Sequence, residues 1–167
     1  MACGCGIGYS GEPLHYAAPA VEVLCGHIGV KIYLLDCGLL ATLCEAKPAD
    51  ILLGSKAFVE FKGAFAENYV LQQLTAKQNL PTYYFSKDNS TQEVDFLVQT
   101  PEKIVPTELK AEENVKSKSL STFINEDFKE LDLNGLRCSM KPYIDQGWME
   151  NYPLAGIEGR FHPQEEA

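Results

Sequence analysis

The stretch Thr91–Lys110, TQEVDFLVQTPEKIVPTELK, decides how the chain is read. EVDFLVQ alternates, which predicts a strand with Val94, Phe96 and Val98 on one face and Glu93, Asp95 and Leu97 on the other. A turn containing Pro101 follows. IVPTELK predicts a second strand, whose alternation puts Glu108 and Lys110 on one face and Leu109 on the other. If the strands pair as neighbours, Asp95, Glu108 and Lys110 meet on one side of a sheet. Carboxylates so placed repel each other unless a cation lies between them, and oxygen ligands suit Mg²⁺ or Mn²⁺. The bland reading of the same residues is two solvated strand faces.

The flanks extend this hairpin into a mixed α/β domain. Upstream, Phe58–Lys77 carries an apolar stripe of Phe58, Phe61, Phe65 and Tyr69, extended by Val70 and Leu74, and predicts a long helix. Glu60, Gly63 and Glu67 share another face of it. Gly63 weakens the helix by about 1 kcal/mol against Ala, and a bare position there lets a backbone or ligand come close. Before that helix, VKIYLL (30–35) reads as a short strand and CGLLATLCE as a short helix ending near Lys47-Pro48. After it, Thr82–Ser86 reads as a strand with KDNST as its turn. Downstream, Ser119–Phe128 predicts an amphipathic helix capped by Ser117 or Ser119, and Leu136–Ile144 a last strand. Residues 58 to 144 then run helix, three meandering strands, helix, strand. The helix before the last strand makes a right-handed crossover the natural reading.

Three regions follow: an irregular N-terminal segment (1–28), an α/β domain (29–155) and a C-terminal tail (156–167). The chain's 167 residues suffice for one domain with a real core. No apolar run is long enough to cross a membrane, and MACGCGIGYSG is no signal peptide. The six cysteines are irregularly spaced without C-x-x-C, so they read as reduced thiols of a cytoplasmic protein. A net charge of −9 opposes a surface that grips nucleic acid non-specifically. No G-x-x-x-x-G-K-[ST] occurs, which excludes a phosphate loop and predicts no ATP binding.

Asp95, twelve intervening residues and then Glu108-Leu109-Lys110 resembles the PD-(D/E)XK nuclease-like superfamily. A longer series of words sharpens the resemblance: KIYLLDCGLL, FKGAFAENYVLQQL, YYF, EVDFLVQ, IVPTELKAEEN, KSLSTF and ENYPL. Together, over roughly Gly29 to Leu154, they resemble an uncharacterised nuclease-like domain found C-terminal to an AAA-type ATPase in many bacterial and archaeal proteins. The resemblance implies a restriction-endonuclease-like αβββαβ core, with helices flanking a central mixed sheet. It implies metal-binding roles for Asp95 and Glu108, with Glu67 completing the shell as in Holliday-junction-resolvase-like members. It implies a catalytic set of Asp95, Glu108 and Lys110, with Lys110 orienting water or steadying charge on the phosphate.

Two functions are consistent with this reading. One is a Mg²⁺- or Mn²⁺-dependent endonuclease acting on branched or single-stranded DNA, with Tyr83, Tyr84 and Lys116 or Lys118 along the nucleic-acid path. The intact Asp95, Glu108 and Lys110 favour it. The other is an inert module that docks an ATPase or forms a homodimer through the apolar surface of residues 30–44. The acidic balance favours that one.

Overall fold

A computed structural model of the chain describes residues 31–47, 49, 56–76, 79–87, 92–111 and 117–161, with the backbone alone at 56–61 and 76. The expected segment 1–28, the side chains of Phe58, Glu60 and Phe61, and Lys116 lie outside the described residues.

Helix α1 spans Cys37–Leu43 and starts at Asp36, whose side chain accepts the Leu39 N–H at 2.9 Å. Helix α2 spans Lys56–Ala76. Strands β1 (Thr82–Ser86), β2 (Glu93–Gln99) and β3 (Ile104–Lys110) form an antiparallel meander. The chain then crosses one sheet face through α3 (Lys118–Thr122), a π-helical turn (Phe123–Asp127) and a 3₁₀ turn (Lys129–Leu131). It returns as β4 (Gly135–Ser139), parallel to β3 as the crossover requires. Strands β5 (Ile144–Asp145) and β6 (Met149–Pro153) follow, with β6 parallel to β4. The result is a six-stranded mixed sheet ordered β1-β2-β3-β4-β6-β5 and flanked by helices.

Two apolar clusters fill the faces. Val70 and Leu74 of α2 pack with Phe96, Val98, Val105 and Leu109 on one side. Leu120, Phe123 and Ile124 pack with Phe85, Leu97 and Ile104 on the other. Strand β4, buried along its whole length, needs no solvent face, as befits a central parallel strand. Gly135 opens it because a Cβ there would lie 2.8 Å from the Ile124 side chain and 3.1 Å from that of Leu120.

Several expectations are corrected. The expected strand VKIYLL is absent over its described residues, 31–35; over Lys31–Leu34 the chain is tied instead to α2, with the Leu34 N–H donating to Asn68 Oδ1 at 2.8 Å. Helix α1 stops at Leu43, short of Lys47. The buried line of α2 runs through Ala66, Val70 and Leu74 rather than Phe65 and Tyr69, since spacing by four places those three side chains in one row. Residues 136–144 are not one strand. β4 ends at Ser139 and the chain turns before β5. Strand β6 escapes detection because its ENYP core has neither alternation nor β-branched residues. Within the stretch 156–161, Ile157 is fully buried in the α2-side cluster, and a short helix α4 (Ile157–Arg160) is clasped to β6 by the Arg160–Glu150 ion pair.

Candidate functional site

The site is built on a break in the β2 alternation. Tyr83 pairs with Leu97 and Phe85 with Val94, so Tyr84 alone stands opposite both Asp95 and Phe96. One extra residue in β2 is a β-bulge. Its effect is visible in the packing. Val94 and Leu97 both enter the α3-side cluster, while Phe96 and Val98 enter the α2-side cluster. The alternation read from the sequence, with Val94 beside Phe96 and Leu97 beside Asp95, is therefore overturned between residues 94 and 97.

Asp95 sits at the bulge. Its Oδ2 accepts the Leu109 N–H at 2.7 Å, so a side chain takes a place in the backbone ladder. Burial pushes its carboxyl up to about 6; the Leu109 N–H pulls it down, Glu67 and Glu108 push it up, and Lys31 pulls it down. Asp95 is thus influenced by two acids on opposite sides of the sheet, Glu67 from the α2 side and Glu108 from the other face of β3.

Glu67 comes from α2, and it is occupied. Its Oε2 accepts from the Tyr33 hydroxyl at 2.9 Å and lies 3.4 Å from Lys31 Nζ. Burial and the adjacent Glu67 drive the Tyr33 phenol far above its ordinary range, so it stays a donor. Lys31 also lies over the Tyr84 ring, 5.8 Å from its centroid.

Glu108 and Lys110 share a face of β3, as the alternation predicts, and form an ion pair of 2.8 Å. Leu109 points into the α2-side cluster on the opposite face. Glu108 is only 5% exposed, and its Oε2 is buried with no hydrogen-bond partner among the described residues. The residue paired with it across the sheet is Arg137 of β4. Arg137, 3% exposed, has its pKa lowered by burial and raised by Glu108. Its Nε donates to Asn151 Oδ1 at 2.9 Å and its Nη1 to Ser117 Oγ at 3.5 Å. Ser139 Oγ donates to the same Asn151 oxygen at 2.7 Å. The Asn151 amide donates in turn to the carbonyls of Pro142, at 2.8 Å, and Lys141, at 3.3 Å. A buried charge is thus held in a polar network through Asn151 and Ser117, while Glu108 Oε2 beside it has no donor among the described residues.

Sequence reading missed this network and the Lys31–Tyr33 contacts. The signal for Arg137 was present: a lone charge in GLRCS, between apolar residues that alternate into the core. Ser117 precedes α3 as expected, but its hydroxyl caps nothing and accepts from Arg137 instead. The tyrosines expected along a nucleic-acid path are half-buried. Tyr83 lies against the α3-side cluster, and the Tyr84 hydroxyl is buried without a partner among the described residues. No backbone closes on Gly63 among the described residues, where nothing lies within 4 Å of a Cβ built there.

The donor set is all carboxylate oxygen, which suits a hard divalent ion. Glu108 supplies a buried oxygen that lacks a donor among the described residues, and Asp95 a carboxylate that burial makes costly to ionise. Both fit a cation. Glu67, held by Tyr33 and Lys31, is not free to join them in this arrangement, and among the described residues no three Asp, Glu, His or Cys side chains converge to hold an ion.

A family model described as Domain of unknown function (DUF4143) matches residues 62–157, from the second turn of α2 to the first residue of α4. The chain belongs to the DUF4143 family. That span contains Glu67, Asp95, Glu108, Lys110 and Arg137, and leaves Lys31 and Tyr33 outside. No curated protein and no solved structure matches the chain. Among the described residues no helix is long and apolar enough to cross a membrane.

Proposed function

We propose that this DUF4143 domain is a metal-dependent nuclease of the PD-(D/E)XK kind, hydrolysing phosphodiester bonds in DNA. The observation that carries the reading is Glu108 Oε2, buried without a donor two residues from Lys110 and in electrostatic contact with Asp95. A buried anionic oxygen left unpaired is costly, and a site that binds a cation is one setting in which the cost is retained.

Asp95 and Glu108 would hold Mg²⁺ or Mn²⁺, and Glu67 would join only after releasing Tyr33 and Lys31. Such an ion supplies a more acidic bound water and polarises a non-bridging phosphate oxygen. The chain's own contribution is positioning. The Leu109 N–H fixes Asp95, and the Arg137 guanidinium faces Glu108 from β4. Lys110, a third exposed, reaches from Glu108 towards solvent, where its ammonium can meet a phosphate oxygen or orient water. The net charge of −9 opposes a broad DNA-gripping surface, so contact with DNA, branched or single-stranded in this reading, would fall to this local patch. No ATP chemistry is assigned to this chain, which carries no G-x-x-x-x-G-K-[ST] motif.

A second reading is an inert docking or dimerisation module. It is favoured by Ile32, Leu35, Leu39 and Leu43, large apolar residues exposed along one short segment. Thermal shift with Mg²⁺ or Mn²⁺ separates the two, because a ligand bound only to the native state raises its stability. The nuclease reading expects the ion to raise the melting temperature of the wild type and not of Asp95→Ala. Equal shifts in both refute it.

A further inference from the structure

Strand β5 ends the sheet on one side, and among the described residues only β6 pairs with it. Its backbone groups alternate between β6 and the open edge. The Gln146 N–H donates inward to the Met149 carbonyl at 2.9 Å, and the Pro142 carbonyl accepts inward from the Asn151 amide at 2.8 Å. Alternation turns the groups of Ile144 to β6 with them, and those of Tyr143 and Asp145 to the open edge. Pro142 turns inward, so its missing N–H takes no donor from that edge. The edge is also apolar and held in place. Met140 is 71%, Tyr143 53% and Ile144 42% exposed. The Tyr143 ring meets the Tyr152 ring edge-on, with centroids 6.0 Å apart. Buried Asn151 anchors the segment, accepting from Arg137 and Ser139 and donating to the carbonyls of Lys141 and Pro142. A surface fixed in advance loses less entropy on association.

We infer that this edge pairs antiparallel with the same edge of a second copy, across a two-fold axis at Ile144. Charge and geometry select that register. Tyr143 stands opposite Asp145 of the second copy, and the reverse, so both outward-facing residues of each chain enter the ladder. The two Ile144 side chains meet at a pair without hydrogen bonds, where side chains lie closest. Lys141 becomes a diagonal neighbour of the second copy's Asp145, within reach of a long side chain. An axis at Asp145 would set two carboxylates face to face, which destabilises. An axis at Tyr143 would need the Lys141 N–H in the ladder, but it already donates to Ser139 Oγ at 3.1 Å. The contact is isologous, lies apart from the exposed apolar residues 32–43, and does not depend on the nuclease reading. So short a ladder makes a small interface, and the dimer is a weak one.

Sedimentation equilibrium of the full chain over a range of concentrations tests this. Wild type should dimerise with a dissociation constant of about 10–100 µM, as befits a small interface. Ile144→Lys sets two ammonium groups against each other across the axis and should weaken the dimer at least about tenfold. Lys141→Glu, which turns the attraction for Asp145 into repulsion, should weaken it about threefold. Cross-linking gives a second measurement that needs no loss of stability. Opposed Ile144 Cα atoms would lie about 4.5 Å apart, a separation that suits a disulfide. On oxidation Ile144→Cys should give covalent dimer well above the wild-type background, and Gln146→Cys, which does not face its own copy, should not. A monomer at every concentration, a dimer unmoved by Ile144→Lys, or equal cross-linking by the two cysteine variants overturns the pairing. A dimer lost in Leu43→Ser and kept in Ile144→Lys places the contact on α1 and overturns it as well.

Discussion

Asp95 accepts the backbone N–H of Leu109 at 2.7 Å, at the step where a regular continuation of the β2–β3 ladder would set it opposite Glu108. The two strands part there, and a carboxylate fills the gap that a backbone carbonyl would have filled. The bulge behind Asp95 is what makes this possible.

That placement has a pH signature. The ordinary Asp value is 3.8 and here it is raised to about 6, so between those values the folded chain keeps a proton that the unfolded chain has released. Stability conferred by the protonated carboxyl is therefore lost as pH rises through about 4 to 6, and the loss is complete above that window. Asp95 retains some contact with solvent, so the loss expected is about 1–2 kcal/mol. Asp95→Asn removes it while keeping an acceptor for Leu109. Urea midpoints should show the variant level with wild type near pH 4 and more stable at pH 7. Parallel pH profiles for the two proteins would contradict the assignment.

Arg137 is a second lever on stability. It is buried, faces Glu108, and donates to Asn151 and Ser117. Arg137→Ala leaves a buried carboxylate short of its facing charge, and removing one partner of a buried pair costs about 3–5 kcal/mol. Denaturant unfolding should show a loss of that order. A change below about 1 kcal/mol would mean that Lys110 alone compensates Glu108.

Two glycines should respond in opposite directions. Gly63 lies in α2 with nothing near its missing Cβ, so Gly63→Ala should stabilise by about 0.5–1 kcal/mol through helix propensity. Gly135 is pressed by Ile124 and Leu120, so Gly135→Ala should destabilise by about 1–3 kcal/mol through overpacking. Calorimetric melting of both variants checks the pair. A destabilised Gly63→Ala would show that the open space there is used by something that the chain's described residues do not supply.

What the sequence makes legible follows from where local chemistry is sufficient. EVDFLVQ and IVPTELK announce their strands through alternation, and Glu108 and Lys110 share a face because β3 is regular. The mixed sheet follows from the element order. Asp95 is different. No alternation encodes a bulge, which here is fixed by Tyr84 standing opposite two residues and by the packing of Val94 and Leu97 on one side. KIYLL has strand-like residues throughout, yet it lies on α2 because Asn68 and Glu67 offer it partners. Those contacts span more than thirty residues of sequence, as |i−j| of 34 for both bonds shows, and no local pattern reports them. Strand β6 and its buried Asn151 are likewise written only in the tertiary network.

The most direct test of the central claim is cleavage of a labelled branched DNA with Mg²⁺ or Mn²⁺ by wild type and Lys110→Ala, with Glu108→Ala as the inactive control. Wild type should cut, and Lys110→Ala should cut about 10²–10⁴-fold more slowly while still binding the ion, the scale for losing a positioned charge-stabilising or proton-transfer group. No cleavage by wild type with either ion, or equal rates for wild type and Lys110→Ala, would contradict the account.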